Sequence, residues 1–506
     1  MSITRIGIID IGSNSVRLVV YERTPHGANR VIEGSKRQAR LSEQIDDQGR
    51  LAEPAVAALA ETLRHFKLLC AHQHTDLIRA VATAAIRNAS NRRDILQRIE
   101  AETGLRIELL SGEQEARLGF LGMINSMDLT DGFLIDIGGG STELSLFRER
   151  ELVDSVSFPF GCVNMARRYT DKGMLDGEGL SALQRHVAEA LQAHPWTEGS
   201  RGLPLVAVGG TARALGKVEQ ASVDYPFQQT HNYPLKAEQV DARFEELRGQ
   251  PLDKRKKTPG LSKGRVDLIV PGLAVLRTVY RAIGASGYVI CGAGLRDGLI
   301  YTCRYPQQPL LDDVLAYSVD NLAALHPEAP QHHVERVSQH ALSLFDALAP
   351  LAELPARARI LLDAASRLHR IGASIDYYNY APHSFYLIVN SHLNGLSHRE
   401  ILMTAAIASY RNKGKARKQL AEYKALLQAG DMELIARLGA LLLLAVALDR
   451  SETQALRQFR CLPQGDKLDL QVLMASGPLE VERLEVDDVA DDVHKAWNLT
   501  PRLLEA

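Results

Sequence analysis

Two short stretches of the chain combine a carboxylate, glycines and hydroxyls in an order suited to phosphate chemistry. Asp10-Ile11-Gly12-Ser13-Asn14-Ser15 follows an apolar run. Asp136-Ile137-Gly138-Gly139-Gly140-Ser141 repeats it with every position displaced by 126 (136 minus 10, 141 minus 15) and no gap. Small residues let the backbone pass close to a ligand, and successive N–H groups in such a turn make a concave anion site. Serine and threonine hydroxyls, as in Ser13, Ser15, Ser141 and Thr142, add donors. The carboxylates ahead of the turns cannot bind phosphate themselves. Asp10 and Asp136 can hold a divalent cation or its waters, which then neutralises phosphate oxygens. Two further glycine turns, Gly209-Gly210-Thr211 and Gly292-Ala293-Gly294, each follow a strand-like run and precede a helix-like one, where helix N-termini bind anions. Neither matches the GxxxxGK[ST] loop, and the Rossmann fingerprint is missing.

The elements that must position these groups are legible in outline. Alternation and glycine placement predict strand, tight turn, strand at both copies of the Asp-Ile-Gly pattern. The duplication implies two homologous lobes with a cleft between them. After Tyr305-Pro306-Gln307-Gln308-Pro309 the texture changes to long helical periods, which sets a boundary there. Asp312 and Asp313 are placed to cap the next helix, and Ser397-His398-Arg399-Glu400 fits a capping box. Alternation in Leu468-Asp469-Leu470-Gln471-Val472 and in Leu479-Glu480-Val481-Glu482-Arg483-Leu484 predicts a small strand-containing module at the end. The expected division is 1–124 and 125–305 for the two lobes, 311–450 for a helical domain and 451–506 for the terminal module.

Composition sets limits. With 506 residues, 45% hydrophobic and 24% charged, the chain can bury several cores and divide into about three or four domains. No basic stretch followed by an apolar signal region opens the chain. The apolar run 438–448 is short of the roughly 20 residues that span a bilayer and predicts a buried helix. Five cysteines without a CxxC pair argue against a disulfide framework or zinc site and fit a reducing cytoplasm. A formal net charge of −2 excludes a globally basic nucleic-acid binder, so affinity for a polyanion would need local patches. Lys254, Arg255, Lys256 and Lys257, followed by Lys263 and Arg265, form one such run; Arg411, Lys413, Lys415, Arg417 and Lys418 form another. Each run is either a solvated surface or a guide for a phosphate chain.

Ser111-Gly112-Glu113-Gln114-Glu115-Ala116-Arg117 reads as a glycine turn opening a helix. Read alone, carboxylates there complement the helix dipole. Arg87, after the apolar Val81-Ala82-Thr83-Ala84-Ala85-Ile86, reads alone as a solvated helix residue. Taken together, DIGSNSVRL, ATAAIR, SGEQEARLGF, DIGGGSTEL, AVGGTA and GLRDG, in this order from Ile6 to about Tyr301, resemble the exopolyphosphatase/guanosine pentaphosphate phosphatase (Ppx/GppA) family. The long helical second half resembles the long-form exopolyphosphatases.

The resemblance implies an α/β actin-like (acetate and sugar kinase/heat-shock chaperone/actin) first half built of duplicated ribonuclease H-like lobes. An α-helical HD-like domain and a small α+β module would follow. It implies Glu115 as the general base, Arg87 as reaching the substrate phosphates, and Glu143 as lying near metal and phosphate. The expected activity is release of terminal orthophosphate from inorganic polyphosphate by in-line attack of water; the alternative is guanosine pentaphosphate as substrate. A kinase or nucleotide-switching ATPase, and a non-enzymatic alarmone sensor, are further classes. Magnesium (or manganese) would be held by Asp136, Glu143 and Asp10, with a monovalent cation such as K+ as an optional helper. Gly12, Ser13, Asn14, Gly138, Gly139, Gly140 and Ser141 would cradle phosphate. His340, His369, His383 and His392 have spacings like an HD metal phosphohydrolase, but His369-Arg370 replaces the expected carboxylate ligand with a cation. That departure implies an HD-like fold without its metal chemistry. A homodimer through the helical half, without nucleic acid or membrane partners, is the expected assembly.

Overall fold

The first strand, Arg5–Ile11 (β1), is apolar along nearly its whole length because both its faces are covered, and Ile6, Ile8, Ile9 and Ile11 are fully buried. It turns through residues 12–14 into Ser15–Arg23 (β2), which pairs with it antiparallel and is followed by Asn29–Gln38 (β3). Leu77–Ala82 (β4) and Ile107–Leu109 (β5) then add in parallel, giving the order β3-β2-β1-β4-β5.

The same plan returns in the second lobe. Gly132–Ile137 (β6), Thr142–Arg148 (β7) and Glu151–Phe158 (β8) form the antiparallel meander. Leu205–Val208 (β9) joins β6 in parallel, Tyr288–Ile290 (β11) joins β9 in parallel, and Tyr233–Leu235 (β10) closes the edge. The order β10-β11-β9-β6-β7-β8, read from its other end, is the first sheet with one strand added. The sequence repeat is therefore a repeat of topology, and both Asp-Ile-Gly turns leave the ends of the equivalent strands β1 and β6.

This computed structural model describes residues 4–504. Two compact units divide the chain: Met1–Thr24 with Asn29–Asp312, and Pro25–Ala28 with Asp313–Ala506. Within the first unit, one core gathers around Ile9, Phe66 and Ile99 and another around Phe133, Leu215 and Leu273. Helix Gly112–Ile124 crosses helix Leu295–Arg304 almost backbone to backbone. A Cβ on Gly122 would meet the Gly294 carbonyl oxygen at 2.1 Å, and one on Gly298 would meet that of Leu118 at 2.0 Å. Only glycine permits that crossing. It fixes the helix bearing Glu115 against the helix bearing Arg296.

In the second unit, helices Val314–Leu325, Gln331–Leu348, Ala356–Leu368, Tyr380–Asn390, His398–Ala408 and Asp431–Ala447 pack together. Asp313 caps the first, accepting from the Ala316 N–H at 2.8 Å, and Ser397 with Glu400 completes the capping box. The apolar run 438–448 forms a helix core in which Leu438, Leu441, Leu444 and Leu448 are fully buried inside the unit. That burial removes the motive for a dimer built on this stretch. The terminal sheet comprises Leu456–Gln464 (β12), Lys467–Ala475 (β13) and Thr500–Leu504 (β14).

The segment beginning Leu479-Glu480-Val481 is not a strand. It opens the helix Glu480–Trp497, whose buried Glu482, Val486 and Val493 follow helical spacing. The short alternation in 479–484 misled because the helical period emerges only over the longer window. All five cysteines are free, and among the described residues no helix is long and apolar enough to cross a membrane.

Candidate active site

The two Asp-Ile-Gly turns close alike: the Gly12 N–H donates to the Ser15 carbonyl at 3.2 Å and the Gly138 N–H to that of Ser141 at 3.0 Å. Directly opposed residues on paired antiparallel strands point to one face. Asp10 opposes Arg17, and Asp136 opposes Glu143. The turns also touch each other. A Cβ on Gly139 would stand 2.9 Å from Ser13 Cβ, and one on Gly140 would stand 2.9 Å from Ser13 Oγ. A side chain at 139 would press on Ser13 Cβ and on the Asn14 backbone nitrogen and wedge the turns apart.

Around them lies a cavity of about 140 Å³, lined by Asp10, Gly12, Ser13, Asn14, Ser15, Glu115, Asp136, Gly138, Gly139, Ser141, Gly209 and Gly210. Most of the residues expected to handle phosphate and metal are thus brought to one place. Four arginines line it as well: Arg17, Arg213, Arg265 and Arg296. No role follows from the motifs for Arg17, Arg213 or Arg296, and Arg265 belongs to a run that reads in sequence as either a solvated surface or a guide for a phosphate chain. A usable signal existed. Arg17 stands at the repeat position of Glu143 (143 minus 17 is 126), so the two lobes present opposite charges at one place in the fold.

Glu115 sits in the first turn of helix Gly112–Ile124, which Ser111 caps by accepting from the Gln114 N–H at 3.1 Å. Its carboxylate accepts from Arg87 Nη1 at 2.8 Å. Burial pushes its pKa up to about 7, Arg87 opposes that rise, and Asp136 and Asp10 add to it. Burial also raises Asp10, against Arg296 and Arg17, and raises Asp136, against Arg213. Glu143 is raised well above the usual range by burial and by Glu115 and Asp136. Arg17 is lowered to about 10 by burial and by the neighbouring Arg296 and Arg213, and stays charged at neutral pH.

Several expectations change here. Arg87 lies behind Glu115, with Nη1 shared between Glu115 and the Leu110 carbonyl at 3.0 Å, and is absent from the cavity wall. Its Nη1 is engaged by Glu115 and the Leu110 carbonyl and not by the cavity. Thr142 is fully buried and donates to the Phe160 carbonyl at 2.7 Å, so its hydroxyl is spent. Thr211 is likewise fully buried against Gly272 and does not line the cavity. Glu143 also lies off the wall, 4% exposed and accepting from Ser157 Oγ at 2.7 Å. Gly140 contributes close packing against Ser13 and not a lining surface. Arg255 is no part of a positive loop. It is fully buried and donates to the carbonyls of Leu247, Gly173, Val266 and Gln250.

Among the described residues no three His, Cys, Asp or Glu converge as a ready metal cage. The donor chemistry still fits magnesium. That ion is commonly held by one or two carboxylates together with substrate phosphate oxygens and water. Here Asp10 and Asp136 are hard oxygen donors facing a phosphate-sized cavity, each raised by burial, and Asp10 raises Asp136 further.

Two duplicated α/β lobes meeting at paired glycine turns, with a carboxylate poised near neutrality among four guanidiniums, define an enzyme of phosphate-ester or phosphoanhydride chemistry. The chain belongs to the Ppx/GppA phosphatase family. The family's model matches residues 19–304, and the model for Ppx/GppA phosphatase domain III matches residues 316–493. Among solved structures, the Aquifex aeolicus Ppx/GppA family member is 26% identical with a TM-score of 0.53, over 60% of this chain and 99% of that one. An exopolyphosphatase from Cytophaga hutchinsonii shares the fold at 21% identity and a TM-score of 0.56, over 61% of this chain and 100% of that one. This protein is a phosphatase whose first unit carries the family's fold.

Proposed function

We propose that this phosphatase is an exopolyphosphatase releasing terminal orthophosphate from inorganic polyphosphate. The observation that carries the proposal is the lining of the cavity: glycine turns, carboxylates and four arginines, with no aromatic residue for a nucleobase to stack on. Guanosine pentaphosphate, the other substrate class of such a site, would ask for a base pocket beside the phosphates.

In this reading the backbone N–H groups around Gly12, Ser13, Gly138 and Gly139 hold the terminal phosphate, and Arg17, Arg213, Arg265 and Arg296 neutralise its charge. Glu115 accepts a proton from water as the water oxygen attacks the terminal phosphorus in line. The bridging P–O bond breaks, and the shortened chain leaves on that oxygen. Phosphoryl transfer asks mainly for positioning and charge neutralisation, so one base suffices. Magnesium, held by Asp10 and Asp136, would supply further neutralisation of the phosphate oxygens. Glu143, tied to Ser157, would support Asp136 from the paired strand. A manganese ion would serve the same donors, and no residue is assigned to a monovalent cation.

The helical unit is proposed as an HD-like scaffold that has lost its metal chemistry. The motive is Arg370 beside His369, together with His333 bound to Asp449 at 2.8 Å. A cytoplasmic location is proposed on the five free cysteines.

The test is phosphate release from long-chain polyphosphate and, separately, from guanosine pentaphosphate, with and without magnesium. Faster turnover of polyphosphate supports the proposal. Preference for the nucleotide replaces the substrate, and no hydrolysis of either rejects the enzyme reading.

A further inference from the structure

The helical unit holds a second cavity, of about 400 Å³, formed without any residue of the phosphate site. His369 lies on its wall with only 2% of its surface exposed. Its Nδ1 is 2.7 Å from the Ser366 carbonyl, so Nδ1 bears the proton and donates it there. Nε2 is left as a lone-pair acceptor, and it is buried without a hydrogen-bond partner. Burial holds the ring's pKa down to about 3, the Ser366 carbonyl opposing, so the imidazole stays neutral at physiological pH. A buried unpaired acceptor is costly. It calls for an N–H or O–H from a ligand, which a fully ionised phosphate chain cannot supply.

The rest of the wall supplies what a nucleotide needs beyond that acceptor. The Arg370 guanidinium lies 5.6 Å from the Tyr377 ring centre and 5.9 Å from that of Tyr380, and Arg411 lies 5.6 Å from Tyr380. Arg370 also pairs with Glu452, whereas Arg411 has no carboxylate partner among the described residues and is exposed. Tyr377 is 60% exposed although it lines the cavity. A large apolar ring held at the solvent edge beside unpaired cationic charge is a stacking surface with an anion clamp.

We propose that this cavity binds a purine nucleotide. His369 Nε2 accepts a base N–H, the tyrosine faces stack the ring, and Arg411 with Arg370 meets the phosphate. The inference is independent of which substrate the phosphate site takes.

The test is calorimetric titration of the full-length chain with GMP and with AMP as probes, and with ribose 5-phosphate and inorganic tripolyphosphate as base-free controls. One site per chain is expected for at least one nucleotide. Arg411→Glu or Tyr377→Ala, both at exposed positions, should weaken it about tenfold or more, given the worth of one stacked base. Arg296→Glu, in the phosphate site, should leave it within about twofold, less than half a kcal/mol. The proposal is overturned if Arg296→Glu abolishes nucleotide binding while Arg411→Glu does not. It is overturned too if ribose 5-phosphate or tripolyphosphate binds as tightly with the same Arg411 dependence, or if neither nucleotide binds at about 5 mM, an affinity too weak to matter.

Discussion

Arg87 and Glu115 are joined at 2.8 Å, and the same Arg87 nitrogen is held by the Leu110 carbonyl at 3.0 Å. The short helix Ala84–Arg87 is thereby tied to the start of the helix that carries Glu115. The arginine both aims the carboxylate and lowers its pKa against the rise that burial imposes.

Removing the carboxylate's basicity should stop chemistry and spare binding. Glu115→Gln is expected to lower kcat by about 10²- to 10⁴-fold, the usual worth of a general base, with little change in KM. Initial rates of phosphate release check this. A loss confined to KM would remove Glu115 from the role of base.

Arg87→Ala should misplace the base without deleting it. A kcat loss of about 10²-fold is expected, as for a displacement near 1 Å. Because Arg87 holds the Glu115 pKa down, its loss moves the acid limb of the kcat/KM profile to higher pH. Arg87→Lys should restore part of that shift. An unmoved limb with raised KM would return Arg87 to the phosphates.

Asp10, Asp136 and Glu143 all have folded pKa values above their ordinary ones. The unfolded chain therefore loses these protons first. Stability falls as pH rises from the ordinary carboxylate range through the raised folded values, and is level above them. In EDTA, the melting temperature should rise as pH is lowered from neutrality through the raised folded values of these carboxylates. Asp136→Asn should flatten that slope and melt higher at pH 8, by about 2–4 °C for each kcal/mol of relieved strain. It should also be inactive. A variant that melts lower would show the carboxylates to be paired and not mutually opposed.

Within the basic run, Arg255 and its neighbours should behave oppositely. Arg255→Ala strands four carbonyl acceptors and opens a void, and should cost about 3–5 kcal/mol in denaturant unfolding. Lys256→Ala and Lys257→Ala should stay within about 0.5 kcal/mol, as exposed substitutions do. If these lysines instead raise KM for long polyphosphate at low salt, the run also guides the substrate.

By itself, the sequence determined the two-lobed plan and many of the residues that line the cleft. A gap-free repeat of Asp10 to Ser15 at Asp136 to Ser141 can only be two copies of one strand-turn-strand unit, and glycine at such turns declares a close approach of backbone. Local chemistry was equally legible at Asp313 and Ser397, where caps depend on neighbours three residues away. Tertiary structure alone decided which side chains face the cleft. Thr142 and Thr211 are suitable phosphate donors by type, yet packing buries both. Arg255 is indistinguishable in sequence from Lys256, yet a fold that leaves four carbonyls inside draws in its guanidinium. Arg17, Arg213, Arg265 and Arg296 come from elements far apart in the chain and meet only when both sheets close. Spacing reports periodicity along one element; convergence of charges across elements depends on how those elements pack.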